Sequence, residues 1–239
     1  MQNYVDVLQG GEISFDDGSG NIITREGNNF GDAVINSLAV CIPSTVIPIL
    51  IAAFAAYAFA WMDFPGRKPM FVILVALLVV PLQIALIPIL RDFTAWNLNG
   101  TFVSMWLAHT SFGLPLAIYL LYNYVSTLPR DVFESAYLDG ATPFVTFVRL
   151  VLPMSIPALA SFAIFQFLWV WNDYLVALIF LGDKNRVVTS ALAAMIGEKG
   201  QDWHLLTSGA FLSMILPLTV FFALQRFFVR GLLAGSIKG

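Results

Sequence analysis

Five apolar runs dominate this chain: Leu38–Ala60, Met70–Leu90, Phe102–Val125, Met154–Leu181 and Gly209–Val229. A hydrocarbon core of about 30 Å is crossed by roughly 20 helical residues, and each run is long enough. Lipid offers no partners for backbone N–H and C=O groups, so a crossing segment of this kind must satisfy them internally as an α-helix. The expected fold is therefore an all-α, polytopic membrane bundle with five spans. Composition agrees: 59% of residues are hydrophobic and 11% charged, against about 25% charged in soluble domains. Met154–Leu181 exceeds the length a crossing needs and carries Trp169 and Trp171 toward its outer half, which fits a tilt or an interfacial start. Val187–Ile196 is too short to cross and reads as an amphipathic or re-entrant element.

Orientation follows from Lys and Arg near span ends, which are retained in the cytoplasm. Arg67, Lys68, Arg130, Arg149, Arg226, Arg230 and Lys238 fall on one side, and Arg25, Arg91, Lys184, Arg186 and Lys199 on the other, a bias of seven to five. The denser set is placed inside. Residues 1–37 then form an external polar segment, 38–229 the transmembrane domain and 230–239 a cytoplasmic tail. A polar segment outside without a signal peptide leads to the expectation that a sixth span precedes it. The single cysteine, Cys41, excludes an internal disulfide and reads as a small buried hydrophobe. A net charge of −3 gives no basic surface for nucleic acid. The two histidines, His109 and His204, are too far apart in depth for a metal site. Prolines within the spans, such as Pro43, are tolerable where neighbouring helices satisfy the freed backbone groups.

The loop 126–153 between the third and fourth runs spells two short helices. Thr127 is placed to cap the first, with Pro129 in its opening turn; Asp139-Gly140 supplies the stop; Thr142-Pro143 restarts a second helix toward Leu152-Pro153. At 100° per residue, Val132, Phe133, Ala136 and Tyr137 share one side, and Arg130, Asp131, Glu134 and Ser135 the other, with Leu138 the exception. Such an apolar face can lie on lipid headgroups or fill a groove on a partner.

The segment Glu134-Ser-Ala-Tyr-Leu-Asp-Gly140, followed after nine residues by Leu150-Val-Leu-Pro153, resembles the EAA loop of permease subunits in binding-protein-dependent ABC importers. It departs in Ser135 for an alanine and Leu150 for an isoleucine. The resemblance implies a coupling helix that docks on a cytoplasmic ATPase. On it, Val132, Phe133, Ala136 and Tyr137 would fill the ATPase groove, Glu134 would face its polar groups, and Gly140 would allow the turn. Ser135, Asp139, Ala141, Leu152 and Pro153 complete the motif. No G-x-x-x-x-G-K-[ST] occurs, so ATP and Mg²⁺ are expected on two separate ATPase subunits, with no cofactor on this chain and no enzymatic activity.

Further similarity in Trp171-Asn-Asp-Tyr-Leu175, Gln225-Arg226 and the tail Gly231–Gly239 is to the maltose-type branch of carbohydrate importers, second permease subunit. The stretch from Ile42-Pro43-Ser44-Thr45 to Phe64-Pro65-Gly66-Arg67 is similar to α-glucoside permeases. The implied partners are a second permease subunit, the two ATPases, an extracytoplasmic solute-binding protein and a sugar cargo in the bacterial inner membrane. The loop Gly182–Ser208, with its Gly197-Glu-Lys-Gly200, would reach the binding protein.

Asp173 is the one acidic residue inside an apolar run, a costly placement that points to function. Gln166, Trp169 and Asp173 can share a helix face and, with Asn172, line a sugar path; the alternative is that Asn172 and Asp173 bond to backbone or to the partner permease. His109 and Gln83 are expected in interhelical hydrogen bonds. A secondary transporter or channel without an ATPase is the alternative class, but it would need more intramembrane ionisable groups.

Overall fold

The computed structural model describes residues 2–9, 13–16, 22–25, 29–182, 185–195 and 203–236. A short helix, α1 (Gln2–Gln9), is followed by an antiparallel hairpin, β1 (Ile13–Asp16) and β2 (Ile22–Arg25), with Ile13 opposite Arg25 and Asp16 opposite Ile22. This hairpin is the one sheet among the described residues; everything from Phe30 onward that is regular is helical.

The first span, α2 (Phe30–Trp61), starts well before the apolar run. Asn29 Oδ1 accepts the Asp32 N–H at 3.3 Å, and Phe30 and Ala33 are already buried, which moves the boundary of the N-terminal segment from Ser37 to Asn29. The second run is not a straight span. It divides into α3 (Arg67–Ala76), a 3₁₀ turn at Leu77–Val79 and α4 (Leu82–Ala95), bent by 101°. Pro81 is the cause: it lacks an N–H and drives Val80 out of helical geometry, to φ −69° and ψ 118°. The third span, α5, has the bounds read from sequence, Phe102–Val125.

The loop 126–153 contains α6 (Arg130–Leu138), then a continuous stretch made of α7 (Pro143–Thr146), a π-helical turn (Phe147–Val151) and α8 (Leu152–Met154). A 70° bend at Ser155 leads into α9 (Ile156–Trp171). The fourth run breaks after Trp171, because the Asp173 carboxylate starts a new helix, α10 (Leu175–Phe180). Oδ1 accepts from the Val176 N–H at 3.4 Å and Oδ2 from that of Ala177 at 3.1 Å. A short helix, α11 (Val188–Ala194), precedes the last long helix, α12 (Trp203–Ser236), whose stretch Trp203–Phe227 is apolar enough to cross. Among the described residues there are three unbroken helices long and apolar enough to cross, and up to five crossings if each bent pair is one span. Gly197–Gly200 and the last three residues of the tail lie outside the described residues.

α2 is the centre of the bundle, packed on α5 and α9, and α12 lies on α9. Burial forms two stacked clusters. The outer holds Phe30, Cys41, Met105, Trp171 and Phe180; the inner holds Ala52, Ala56, Ala117, Leu121, Phe133 and Phe162. The small Ala52, Ala56 and Ala117, all fully buried, let the backbones of α2 and α5 approach closely, a main source of attraction between helices in lipid. Cys41 is 1% exposed and unpaired, a small buried hydrophobe as expected.

Proline accounts for the bonds that tie these helices. A proline supplies no N–H to the carbonyl four residues before it, and in lipid that carbonyl needs another donor. Pro43 frees Ala39 O, which accepts from Trp106 Nε1 of α5 at 2.8 Å. Pro48 frees Ser44 O, which accepts from Gln166 Nε2 of α9 at 3.0 Å. Pro217 of α12 frees Ser213 O, which accepts from Trp171 Nε1 of α9 at 3.2 Å. Each bond joins two helices, so α2, α5, α9 and α12 are clamped together; bonds of this kind contribute about 0.6–2 kcal/mol each.

Candidate functional site

Two regions carry the candidate residues: the loop between α5 and α9, and a cavity walled by α4, α5 and α9.

In the loop, Thr127 does not cap α6. Its Oγ1 donates back to Tyr124 O at 2.7 Å and closes α5, while Pro129 (φ −62°, ψ 129°) occupies the cap position without a side-chain bond. The end of α6 is as the sequence indicates. Gly140 has φ +79°, its N–H donates to Tyr137 O at 3.0 Å, and Ala141 N–H donates to Ala136 O at 2.9 Å, a glycine-type C-terminal motif. Thr142 Oγ1 accepts the Val145 N–H at 3.4 Å, and Pro143 opens α7.

The division of α6 into two faces agrees with the wheel, but the apolar side packs mainly toward the chain's own bundle. Phe133 is 1% exposed and stacks on Trp61 at a centroid distance of 3.9 Å and 13° between planes. Trp61 in turn donates its indole N–H to Val125 O at 3.0 Å. Val132 and Ala136 are half-buried on the same side, and the Tyr137 hydroxyl lies 3.3 Å from that of Tyr57. Phe133 is covered by the chain's own bundle and acts as an anchor, whereas Tyr137, on the same stripe, remains 44% exposed. Facing outward are Glu134, Ser135, Asp139 and Gly140, together with Leu138 at 89% exposure and Phe144 at 65%. Leu138, the exception on the wheel, and Phe144, on the following helix, are the most exposed apolar groups here, with Tyr137 partly exposed beside them. Ala141 and Leu152 are half-buried and Pro153 is exposed. Phe147 stacks on Phe54 of α2 at 4.0 Å. The loop is thus an elbow, held to the bundle by two aromatic stacks and continuous through the π turn and Ser155 with α9.

The cavity has a volume of about 910 Å³ and a mainly apolar wall. Gln166, Trp169 and Asp173 line it; Asn172 does not, being exposed with its Nδ2 donating to Leu168 O at 2.7 Å. Gln166 is buried, and besides Ser44 O its Nε2 reaches His109 O at 3.3 Å. Gly113 makes this possible, since a Cβ there would lie 2.6 Å from Gln166 Oε1. Gln166 is therefore a clamp more than a cargo contact. Asp173 both caps α10 and, through its main-chain oxygen, accepts from Thr189 Oγ1 of α11 at 2.6 Å.

His109 Nε2 lies 3.8 Å from Asp173 Oδ2, and its ring meets Trp169 edge-on at 5.1 Å. Neither ring nitrogen makes a hydrogen bond within the described residues, contrary to the interhelical bond expected of it. Its own helix carbonyl, not its ring, is what binds across the interface. Gln83 also lacks the expected bond: Pro81 bends α4 so that Gln83 faces the open cavity. No group of three metal-ligating side chains occurs among the described residues.

Residues 34–233 match the family described as the inner membrane component of binding-protein-dependent transport systems. The chain belongs to that family. It is a permease subunit and not an enzyme. It is 58% identical over 221 residues to the osmoprotective compounds uptake permease protein GgtD of Synechocystis, covering 92% of this chain and 74% of that protein. It is 58% identical over 216 residues to the alpha-glucoside transport system permease protein AglG of Rhizobium meliloti, covering 87% of this chain and 57% of that one, so it spans little more than half of AglG. The fold matches a chain of a bacterial ABC transporter that imports the acidic polysaccharide alginate, with a TM-score of 0.68 at 17% identity, over 94% of this chain and 89% of that one.

For a permease the connection between the two regions matters more than either alone. α9 leaves the elbow at Ser155, carries the Gln166 clamp near its middle and ends beside Trp169 and Asp173. One helix of about 24 Å, entered through the 70° bend at Ser155, thus runs from the elbow to the cavity wall.

Proposed function

We propose that this permease forms, with a second permease subunit, the pathway of an importer for neutral sugars or glucosides, driven by two separate ATPase subunits that hold ATP and Mg²⁺. The observation that carries the proposal is the elbow: Leu138 and Phe144 stand exposed on either side of Gly140, on a loop anchored at Trp61 and continuous with the helix that walls the cavity. An exposed apolar pair on a short, rigidly rooted helix is suited to a protein groove. Glu134, Ser135 and Asp139 supply its polar rim. ATP-driven closure of the ATPases would move the elbows and, through α9, switch the cavity between the two sides of the membrane.

A sugar cargo is supported by the named substrates of AglG and by the wall itself, which joins the Trp169 indole to amide and apolar groups. The external loop 182–208, whose α11 is tied to the Asp173 main chain through Thr189, would contact the solute-binding protein. The test is ATP hydrolysis by the assembled complex in proteoliposomes. Binding protein loaded with an α-glucoside should raise hydrolysis severalfold over empty binding protein. If no neutral sugar or glucoside has this effect, the cargo assignment fails.

A further inference from the structure

The cavity wall holds few polar side chains, and most have their hydrogen-bonding groups committed. Ser111 Oγ donates to Leu107 O at 2.7 Å. Gln166 donates to the carbonyls of Ser44 and His109, and its position is enforced by Gly113. Asp173 accepts two main-chain N–H groups of α10 and is 11% exposed. Gln83 differs. It lies in the first turn of α4, one residue past the Pro81 break, is exposed at the cavity, and has no hydrogen bond among the described residues.

A primary amide carries two donor hydrogens and two acceptor lone pairs. Leaving them unpaired inside an apolar segment is costly, whereas a leucine would be favoured there. On the α9 side of the same cavity Trp169 is 37% exposed, and its indole N–H makes no hydrogen bond among the described residues. No Lys or Arg is among the described lining residues, and Asp173, the one charged group, is occupied with capping.

Resting on the sugar-importer reading above, we infer that Gln83 is a cargo-contacting, specificity-determining residue: its amide bonds the hydroxyls of a neutral polyhydroxylated solute held against Trp169. A cation to hold an acidic cargo is absent from this wall. The Pro81 bend has a role in this arrangement, because it turns the first turn of α4 toward the cavity that α5 and α9 enclose.

The test uses the complete transporter, with its second permease, ATPases and binding protein, in proteoliposomes supplied with radiolabelled maltose as a neutral α-glucoside. Gln83→Leu keeps the size and removes the amide, and Gln83→Asn keeps the amide on a shorter stem. One lost neutral hydrogen bond corresponds to about a fivefold loss of binding. Gln83→Leu is expected to raise KM for uptake about fivefold at unchanged complex yield, with Gln83→Asn restoring part of it. Unchanged KM in Gln83→Leu overturns the inference. Loss of complex yield in Gln83→Leu, rescued by Gln83→Asn, also overturns it, because the amide would then be holding a subunit. If the wild-type transporter takes up neither maltose nor any other neutral glucoside, the sugar-importer reading fails first, whatever Gln83 does.

Discussion

Gly113→Ala provides a quantitative probe of the interhelical clamp. The added Cβ would stand 2.6 Å from Gln166 Oε1 and 2.7 Å from Nε2, against an ordinary contact limit of 3.4 Å. The amide must retreat by about 0.8 Å, which stretches its bonds to Ser44 O and His109 O, now 3.0 and 3.3 Å, beyond useful hydrogen-bond length. Two intramembrane bonds at about 0.6–1 kcal/mol each give an expected loss of about 1–2 kcal/mol. Ser44 O suffers most, because Pro48 leaves it no helical donor. The assay is reversible unfolding of the purified permease complex in mixed micelles. In a Gln166→Ala background there is no amide to displace, so Gly113→Ala should cost close to nothing, and the double-mutant cycle should return most of the loss as coupling. Equal cost of Gly113→Ala in both backgrounds would refute the clamp.

Two further outcomes follow from the same geometry. Trp171→Phe keeps the stack on Phe167 but removes the donor to Ser213 O, and should cost about 1 kcal/mol in the same unfolding assay; with Pro217→Ala, which returns a helical N–H to that carbonyl, the cost should nearly vanish. Leu138→Asp, at an 89% exposed position, should leave insertion and unfolding unchanged and reduce co-purification of the ATPase subunits at least about tenfold; retention of the ATPases would remove Leu138 from the docking surface.

Much of this architecture was legible in the residues. Phe102–Val125 is a span with the same bounds because no proline-driven break or cap interrupts it early, and Pro115 is tolerated within it. The stop at Gly140 and the cap at Thr142 were readable because both depend on local backbone chemistry. The face of α6 was not. Nine residues of periodicity separate apolar from polar, but they do not say that Trp61 lies beneath Phe133 or that Leu138 stands clear. The bonds of Gln166 were not legible for a similar reason: a polar residue in a span announces a bond, and whether its partner is a sugar or a main-chain oxygen is tertiary. A signal was available, since Pro43, Pro48 and Pro217 each leave a carbonyl that some neighbouring side chain must serve. The breaks at Pro81 and Asp173 also had local signals, a proline and a capping carboxylate, which apolar run length concealed.

In the proposed mechanism the elbow converts ATPase motion into movement of α9. Its most direct test is the ratio of cargo imported to ATP hydrolysed in proteoliposomes, compared between the wild-type transporter and one carrying Gly140→Pro. Gly140 sits at φ +79° and proline is fixed near −65°, so the turn between α6 and α7 cannot form, while the spans are untouched. Glu134→Lys, on the outward rim, tests the same transmission without altering the backbone. The account predicts inserted, assembled permease that hydrolyses ATP with uptake per ATP reduced about tenfold or more. Uptake per ATP equal to wild type in the Gly140→Pro transporter would contradict it.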